Sequence, residues 1–483
     1  MRRLSPFILL ALASGCTMGP DYKGPPAAPG STPAAGFVRA EPDFVATAPH
    51  VAEWWTAFND ATLNDIQRRA LSSSPGVAVA QARLRQARAT LRLDRANRAP
   101  ALGAQGMYVH AELPGLDLGS SGSGNSGGSG SANALDLGSI DFFNLGFDAS
   151  WEIDLFGGSR RTVEASRASV EAAQANVADA QVQLTADIAQ AYINLRDRQA
   201  QLALSQRTVA LQQQMLDLVR QRRSRGASSD LDVERLQTQV RATQAQAVPI
   251  EAEIVALKNA LAVLAGDRPG ALDPMLDETR PVPLPPAQIA IGDPEQLLKR
   301  RPDIRAAERN LAARTAQIGV AEASRFPRLS LMGMIGLGGT SPSDLVDLDN
   351  LSALAMPRLQ WQFLDFGRGR ARVGQAEGRR DEAEAQYRQA VLGALRDAED
   401  ALARFGSRRR AIASLEQVRA SAERAAELMQ QRQRAGTATL IDALDAERQR
   451  VVAEQNVATA VAALTNDFVA LQKALGLGWS DAG

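Results

Sequence analysis

The stretch GGSRRTVEASRASVEAAQANVADAQVQLTADIAQAYINLRDRQAQLALSQRTVALQQQMLDLVRQRRSR, residues 157–225, runs without a proline. As one continuous helix it spans roughly 100 Å at 1.5 Å per residue, several times the diameter of a compact domain. Such a helix cannot be buried inside its own subunit. Its apolar residues fall on seven-residue rows: Val163, Val170, Val177, Leu184 and Ala191, then Ile188, Leu195, Leu202, Val209 and Leu216, with Leu204, Leu211 and Leu218 beside them. Adjacent rows require partners on more than one side, and a sustained heptad makes those partners other helices packed alongside.

Toward the N terminus the period drops to two. Phe143, Leu145, Phe147, Ala149, Trp151, Ile153 and Leu155 are apolar, whereas Asn144, Gly146, Asp148, Ser150, Glu152 and Asp154 between them are small or polar. This is a strand with one greasy and one wet face. Ala101 to Ala111 is its partner, joined through a Gly/Ser-rich tract at 119–131, so a strand hairpin with a long tip precedes the helix. Toward the C terminus, Arg225-Gly226-Ala227-Ser228-Ser229-Asp230 places glycine to end one helix and Ser or Asp to cap the next. The returning helix reaches about Ala265 on the rows Val233, Val240, Ala247, Ile254 and Leu261, and Gly266 stops it.

The same programme then recurs. Pro75 and Pro100 correspond to Pro302 and Pro327 at a shift of 227, and Leu329-Ser330-Leu331-Met332-Gly333 opens a second strand hairpin. Trp151, Phe156, Gly157, Gly226, Asp232 and Gly266 correspond to Trp361, Phe366, Gly367, Gly436, Asp442 and Gly476 at a shift of 210. The 17-residue difference lies in the strand hairpin, whose first copy carries the longer loop. The expected organisation is repeat 1 over 51–280, with strands at about 101–111 and 141–155 and helices at 157–225 and 229–265. A linker at 281–300, opening on Pro281-Val282-Pro283-Leu284-Pro285-Pro286, leads to repeat 2 over 301–478. Its strands are expected at about 327–338 and 351–365 and its helices at 368–434 and 439–475, leaving a tail at 479–483.

At the N terminus, Arg2 and Arg3 precede an apolar run through Phe7, Ile8, Leu9 and Leu10, too short for a membrane span and read as a secretory signal over 1–15. Ala13-Ser14-Gly15-Cys16 resembles a bacterial lipobox with its leucine displaced to Leu12; an ordinary signal with an incidental cysteine is the alternative. Cys16 is the only cysteine, so it has no disulfide partner within the chain. Lipidation with diacylglycerol and palmitate follows, and Thr17 in place of aspartate implies sorting to the outer membrane. Two acyl chains anchor firmly without a spanning helix. Residues 16–50 are expected to be an extended tether, with order beginning at Trp54 to Phe58, a helical stretch through Leu63, Ile66 and Leu71, and a second helix from Pro75 to Ala99.

With 45% hydrophobic residues, 22% charged residues and a formal net charge of zero, the chain lacks the basic surface of a nucleic-acid binder. Gly122, Gly124 and Gly127 fit G-x-G-x-x-G, and residues 124–128 fit G-x-S-x-G, but both patterns need a strand-to-helix turn that a low-complexity loop does not supply. Only His50 and His110 are available for imidazole chemistry or zinc, which argues against an enzyme and a metal site. Each strand has the length that crosses a bilayer when tilted. Four strands cannot close a barrel, and an open edge is not tolerated in lipid, so the subunit must oligomerise. Two chains leave a lumen filled by side chains, whereas three or more leave room for passage.

Trp54-Trp55-Thr56-Ala57-Phe58-Asn59-Asp60, Arg301-Pro302-Asp303-Ile304-Arg305-Ala306-Ala307-Glu308, Ala316-Gln317-Ile318-Gly319-Val320-Ala321 and Phe326-Pro327-Arg328-Leu329-Ser330-Leu331 together resemble the signature stretches of the NodT/OprM group of TolC-like outer-membrane efflux lipoproteins. The resemblance covers essentially the whole mature chain. It implies a mainly α fold with a membrane β-barrel: a homotrimer with twelve strands in the outer membrane and an α-helical barrel in the periplasm. It also implies two partners, a periplasmic membrane-fusion adaptor and an inner-membrane transporter of the resistance-nodulation-division (RND) type. The segment Ile441-Asp442-Ala443-Leu444-Asp445-Ala446 resembles the family's pore-facing aspartates near the periplasmic tip, which makes Asp442 and Asp445 gate candidates; a capping and solvated pair at a helix start is the alternative. Family arginines that latch neighbouring helices are unmatched at Thr437 to Thr439, leaving Arg432 or Arg434 as substitutes. Around the two turns, Gly226, Ser229, Asp230, Gly436 and Thr437 are candidates for adaptor contact. Small-molecule efflux is expected, with protein export through a type I secretion outlet and a periplasmic adaptor lipoprotein as the rivals.

Overall fold

A computed structural model describes residues 17–26, 36–40, 44–45, 52–111 and 140–480. The signal segment, Cys16 and the Gly/Ser-rich tract with its two pattern matches lie outside the described residues. In chain order the elements are β1 (Phe44–Val45), a 3-10 turn (Trp54–Phe58), α1 (Ala61–Ser73), α2 (Pro75–Ala96), β2 (Ala101–Ala111), β3 (Ile140–Ile153), α3 (Gly158–Ser224), α4 (Asp230–Leu264) and α5 (Asp273–Leu276). They continue with β4 (Ile289–Ala290), α6 (Pro294–Arg300), α7 (Pro302–Ala323), β5 (Arg328–Gly339), β6 (Leu351–Gln360), α8 (Arg368–Arg434) and α9 (Leu440–Ala474).

The duplication is carried into the helices residue for residue. α2 and α7 both have 22 residues, α3 and α8 both have 67, and α4 and α9 both have 35. One asymmetry breaks the pattern: Pro249 sits inside α4, where it removes one helical hydrogen bond, and Thr459 occupies the matching place in α9.

The chain divides into two compact units, each assembled from both repeats. The first comprises residues 1–24, 88–168 and 312–381 and contains a four-stranded antiparallel sheet in the order β2-β3-β5-β6. Each hairpin pairs locally, and β3 pairs with β5 to join them. Strand β6 stops at Gln360, five residues before the expected Asp365. Asp365 instead accepts the backbone N–H of Gly367 at 3.0 Å and of Gly369 at 2.6 Å, starting the turn into α8.

The second unit comprises residues 25–87, 169–311 and 382–483. Its core gathers Trp54, Trp55 and Phe58 with Leu63 and Ile66 of α1, Ile188 and Leu195 of α3, Val391 and Phe405 of α8, and Phe468 of α9. Phe468 stands edge-on to Trp54 and Phe58, with ring centroids 6.1 and 5.3 Å away. Burying each such side chain contributes about 1.5–3 kcal/mol. The heptad rows supply these residues: Leu184, Ile188, Leu195 and Leu216 of α3 are buried, whereas Leu218 keeps 46% of its surface exposed.

The tether expectation needs correction. Order does not begin at Trp54. Phe37 is buried in the second unit's core, and β1 pairs in parallel with β4 through Phe44 and Ile289. In the first unit, Met18 donates its N–H to the Phe156 carbonyl at 3.2 Å. These contacts join residues far apart in sequence and have no local periodic signature. Helix α2 also ends at Ala96 rather than Ala99, because Asn97 to Ala99 form turns before Pro100.

Candidate functional site

Opposed residues of an antiparallel pair share a face, so the register sorts the sheet completely. On one face Phe143, Leu145, Phe147, Ala149, Trp151 and Ile153 of β3 lie beside Tyr108, Ala104 and Leu102 of β2 and Leu337, Ile335 and Leu331 of β5. Leu351, Ala353, Ala355, Pro357 and Leu359 of β6 continue it. Leu102, Phe147 and Leu359 on this face expose 80%, 65% and 67% of their surface. An apolar expanse of this kind calls for lipid or a partner. The opposite face carries Asn144, Asp148, Ser150 and Glu152 of β3, Ser330 of β5, and Arg358 and Gln360 of β6.

Two tryptophans mark one end of the apolar face. The Trp151 indole donates to the Arg98 carbonyl at 3.0 Å and the Trp361 indole to the Arg325 carbonyl at 3.1 Å. Each ties the end of a hairpin to the chain that enters it, an amphipathic placement typical of a membrane interface. At the other end the Tyr108 hydroxyl donates to Asp141 at 2.9 Å, and His110 Nδ1 lies 2.8 Å from the same carboxylate oxygen. The outer edges of β2 and β6 have no partner strand among the described residues.

In the second unit the two helix turns have matching chemistry. Gly226 and Gly436 have φ of +76° and +75°, a left-handed conformation that glycine adopts without penalty. Ala227 N–H bonds the Arg222 carbonyl at 2.9 Å, as Thr437 N–H bonds that of Arg432 at 2.9 Å, closing the helix ends in the Schellman manner. Two residues later come capping boxes: Ser229 with Asp232 on α4 and Thr439 with Asp442 on α9. Both carboxyls are held below the usual aspartate range, foremost by the Ser229 and Thr439 hydroxyls. Asp230 forms an ion pair with Arg223 across its turn.

Asp442 and Asp445 are both exposed. Asp442 accepts the Thr439 hydroxyl at 2.7 Å and its N–H at 3.0 Å. Asp445 accepts Arg448 Nη2 at 2.7 Å and the Gln449 amide at 2.8 Å, and Arg448 lowers its pKa. Asp442 thus fills the capping role that stands as the alternative to a gate. Beneath them Leu216, Val219, Val233, Leu236 and Val240 cluster at the α3–α4 turn, with Leu440 and Leu444 packed against them. A groove of about 450 Å³ runs between these elements and brings Ser228, Asp232, Thr439, Leu444, Asp445 and Arg448 to one surface. The two turns are thus neighbours in space. Arg448 and Gln449 carried no signal in sequence beyond their spacing from Asp445.

A buried polar chain, also unseen in sequence, braces the core. The Tyr192 hydroxyl donates to Asp60 at 2.7 Å and accepts from Arg196 at 3.0 Å, and Arg196 donates to the Glu278 carbonyl at 2.6 Å. Burial, then the bond to Asp60, pushes the Tyr192 hydroxyl up to about 12.

The sequence pattern of the family described as outer membrane efflux protein matches residues 66–267 and 294–477. Outer membrane protein OprJ of Pseudomonas aeruginosa is 31% identical over 485 residues, covering 98% of this chain and 95% of OprJ. Nodulation protein T of Rhizobium leguminosarum bv. trifolii is 29% identical over 481 residues, covering 99% of this chain and 98% of that protein. Among solved structures, the outer-membrane channel OprN superposes with a TM-score of 0.85 at 34% identity, over 96% of this chain and all of that one.

Proposed function

Because the chain belongs to the outer membrane efflux protein family, we propose that three copies form the outlet duct of a tripartite efflux system. Their sheets close a twelve-stranded barrel in the outer membrane, and their long helices form a barrel reaching into the periplasm. There the duct meets a membrane-fusion adaptor, and through it an RND-type transporter in the inner membrane. The supporting observation is the sheet: one face is wholly apolar over its central rungs, the other carries Asn144, Asp148, Ser150 and Glu152 interspersed with methionines and Leu354, and the two edges are open. In lipid every backbone polar group needs a partner, so β6 of one copy pairs with β2 of the next.

The chain conducts and performs no chemistry; the transporter supplies the energy. Asp442 and Asp445 serve as the periplasmic gate, where three copies stack six carboxylates around one axis and favour cations. Gly226, Ser229, Asp230, Gly436 and Thr437 present the turns to the adaptor. Diacylglycerol and palmitate on Cys16 anchor the chain in the outer membrane. The assembly is tested with cysteines at the two edges, Ala104→Cys on β2 and Ala353→Cys on β6, treated with a flexible bis-maleimide. Crosslinked trimers from the double variant and none from either single variant are expected. Monomers alone, from protein that does not conduct in planar bilayers, refute the reading.

A further inference from the structure

Four arginines of α2, Arg85, Arg88, Arg92 and Arg95, recur at spacings of three, four and three, so they share one face of the helix. All four are exposed, and none has an ion pair among the described residues. Like charges so placed repel one another. The matching places on α7, at the shift of 227, are Ala312, Thr315, Gly319 and Glu322, and there Ala312 and Thr315 are buried. That side of α7 packs on α3 in a single antiparallel register. A Cβ at Gly319 would lie 2.7 Å from Arg161 Cγ, Ala312 clusters with Ala168, and Arg309 binds Glu171 at 3.1 Å.

Contacts inside each repeat follow the duplication. Ala101 opposite Ser150 recurs as Arg328 opposite Gln360, and the two tryptophans bond matching carbonyls. The α3–α7 seam instead runs from repeat 1 to repeat 2, so its counterpart is α8 on α2. Carried over by the two shifts, Arg161 and Gly319 become Ala371 and Arg92, Ala168 and Ala312 become Gly378 and Arg85, and Glu171 and Arg309 become Asp381 and Ala82. Within one chain this seam is not made. Ala371, Gly374, Gly378 and Asp381 are exposed, and a Cβ at Gly374 or Gly378 would meet nothing within 4 Å.

We propose that the α2 arginine stripe of a second copy docks on this face of α8, in the register that α7 adopts on α3. Bulk changes sides: within the chain Arg161 of α3 covers Gly319, whereas between copies Arg92 covers Ala371 and Arg85 covers Gly378. The arginine stems lie along the small-residue surface. Their guanidiniums meet the exposed Glu377 and Asp381, which flank Gly378; in the single chain Asp381 pairs with the adjacent Arg380 at 3.0 Å. A head-to-tail contact of this kind builds a ring when its rotation closes. This docking rests on the self-association proposed above and adds the helices that meet and their register.

The full chain carrying Arg92→Cys/Ala371→Cys is oxidised in detergent and run without reductant. Disulfide-linked dimers and trimers are expected. None should come from either single variant or from Arg92→Cys/Gly378→Cys, whose sites are about two helical turns out of register. Arg85→Glu/Arg88→Glu should lower the trimer fraction about tenfold. Adding Glu377→Arg/Asp381→Arg should restore it, which a general folding defect would not allow. Links from the shifted pair instead of the matched pair overturn the register. Trimers captured at the sheet edges, with no α2–α8 disulfide and no response to charge reversal, overturn the docking and leave the duct standing. Monomers throughout overturn both. Unchanged trimers together with weaker binding to phosphatidylglycerol vesicles assign the stripe to lipid headgroups and likewise overturn the docking.

Discussion

Arg161 and Asp21 are joined at 2.6 Å although 140 residues separate them in sequence. The same buried guanidinium holds the Met18 carbonyl at 3.0 Å, the Gly19 carbonyl at 3.1 Å and Glu164 at 2.7 Å. A Cβ at Gly319 would lie 2.6 Å from the Met18 carbonyl oxygen, so glycine is needed there for the segment to dock. The chain that follows Cys16 is therefore clasped against α3 and α7.

Removing the clasp should free that segment. Arg161→Ala deletes hydrogen bonds to a charged group worth about 1.5–3 kcal/mol each. Trypsin should then cleave at the exposed Lys23 at least about tenfold faster, the factor for roughly 1.4 kcal/mol. Unchanged cleavage means the segment is held by other contacts.

The two faces of the sheet predict opposite tolerance to charge. Phe147→Arg puts a cation on the apolar face and should destabilise the membrane-inserted protein by about 2–4 kcal/mol if that face meets lipid. Ser150→Arg on the polar face should cost under about 0.5 kcal/mol. Urea titrations of protein folded into vesicles give both values. Equal costs contradict the assignment of faces.

Tyr192→Phe removes a hydroxyl that serves both Asp60 and Arg196. Leaving buried polar groups unpaired costs about 1–3 kcal/mol, measurable as a lowered thermal midpoint in detergent. Because the folded phenol titrates at about 12, above its ordinary value near 10, its contribution is complete below that ordinary value and fades as pH rises toward 12. The variant's deficit should therefore be constant from pH 6 to 9.

The gate assignment is best tested with charge removed and the cap kept. Asp442→Asn retains an acceptor for Thr439, so Asp442→Asn/Asp445→Asn should fold normally. It should show weaker cation preference and higher single-channel conductance. The Thr439 bonds depress the Asp442 pKa, so their stabilisation is full above the unfolded value of about 3.9 and is lost as pH falls through the lower folded value. Cation preference in the unaltered channel should thus persist at pH 5, as reversal potentials would report. A channel insensitive to both the substitution and strong acid excludes these carboxylates from the constriction.

Much of this molecule is written locally. Seven-residue rows such as Val163 to Ala191 determine long helices with several partners, because side-chain spacing along a helix is set by its own geometry. Alternation from Phe143 to Ile153 determines a two-faced strand for the same reason, and Gly226, Gly436 and the Ser229 and Thr439 boxes place the turns. The 227- and 210-residue shifts carry one repeat's reading onto the other. Tertiary structure alone decided what lacks a period. β3 pairs with β5 across the repeats, Phe37 enters the core, Arg161 clasps the N-terminal segment, and Tyr192 links Asp60 to Arg196. These are contacts between residues tens to hundreds of positions apart, and chain spacing cannot say which distant groups will meet once the apolar surfaces are packed.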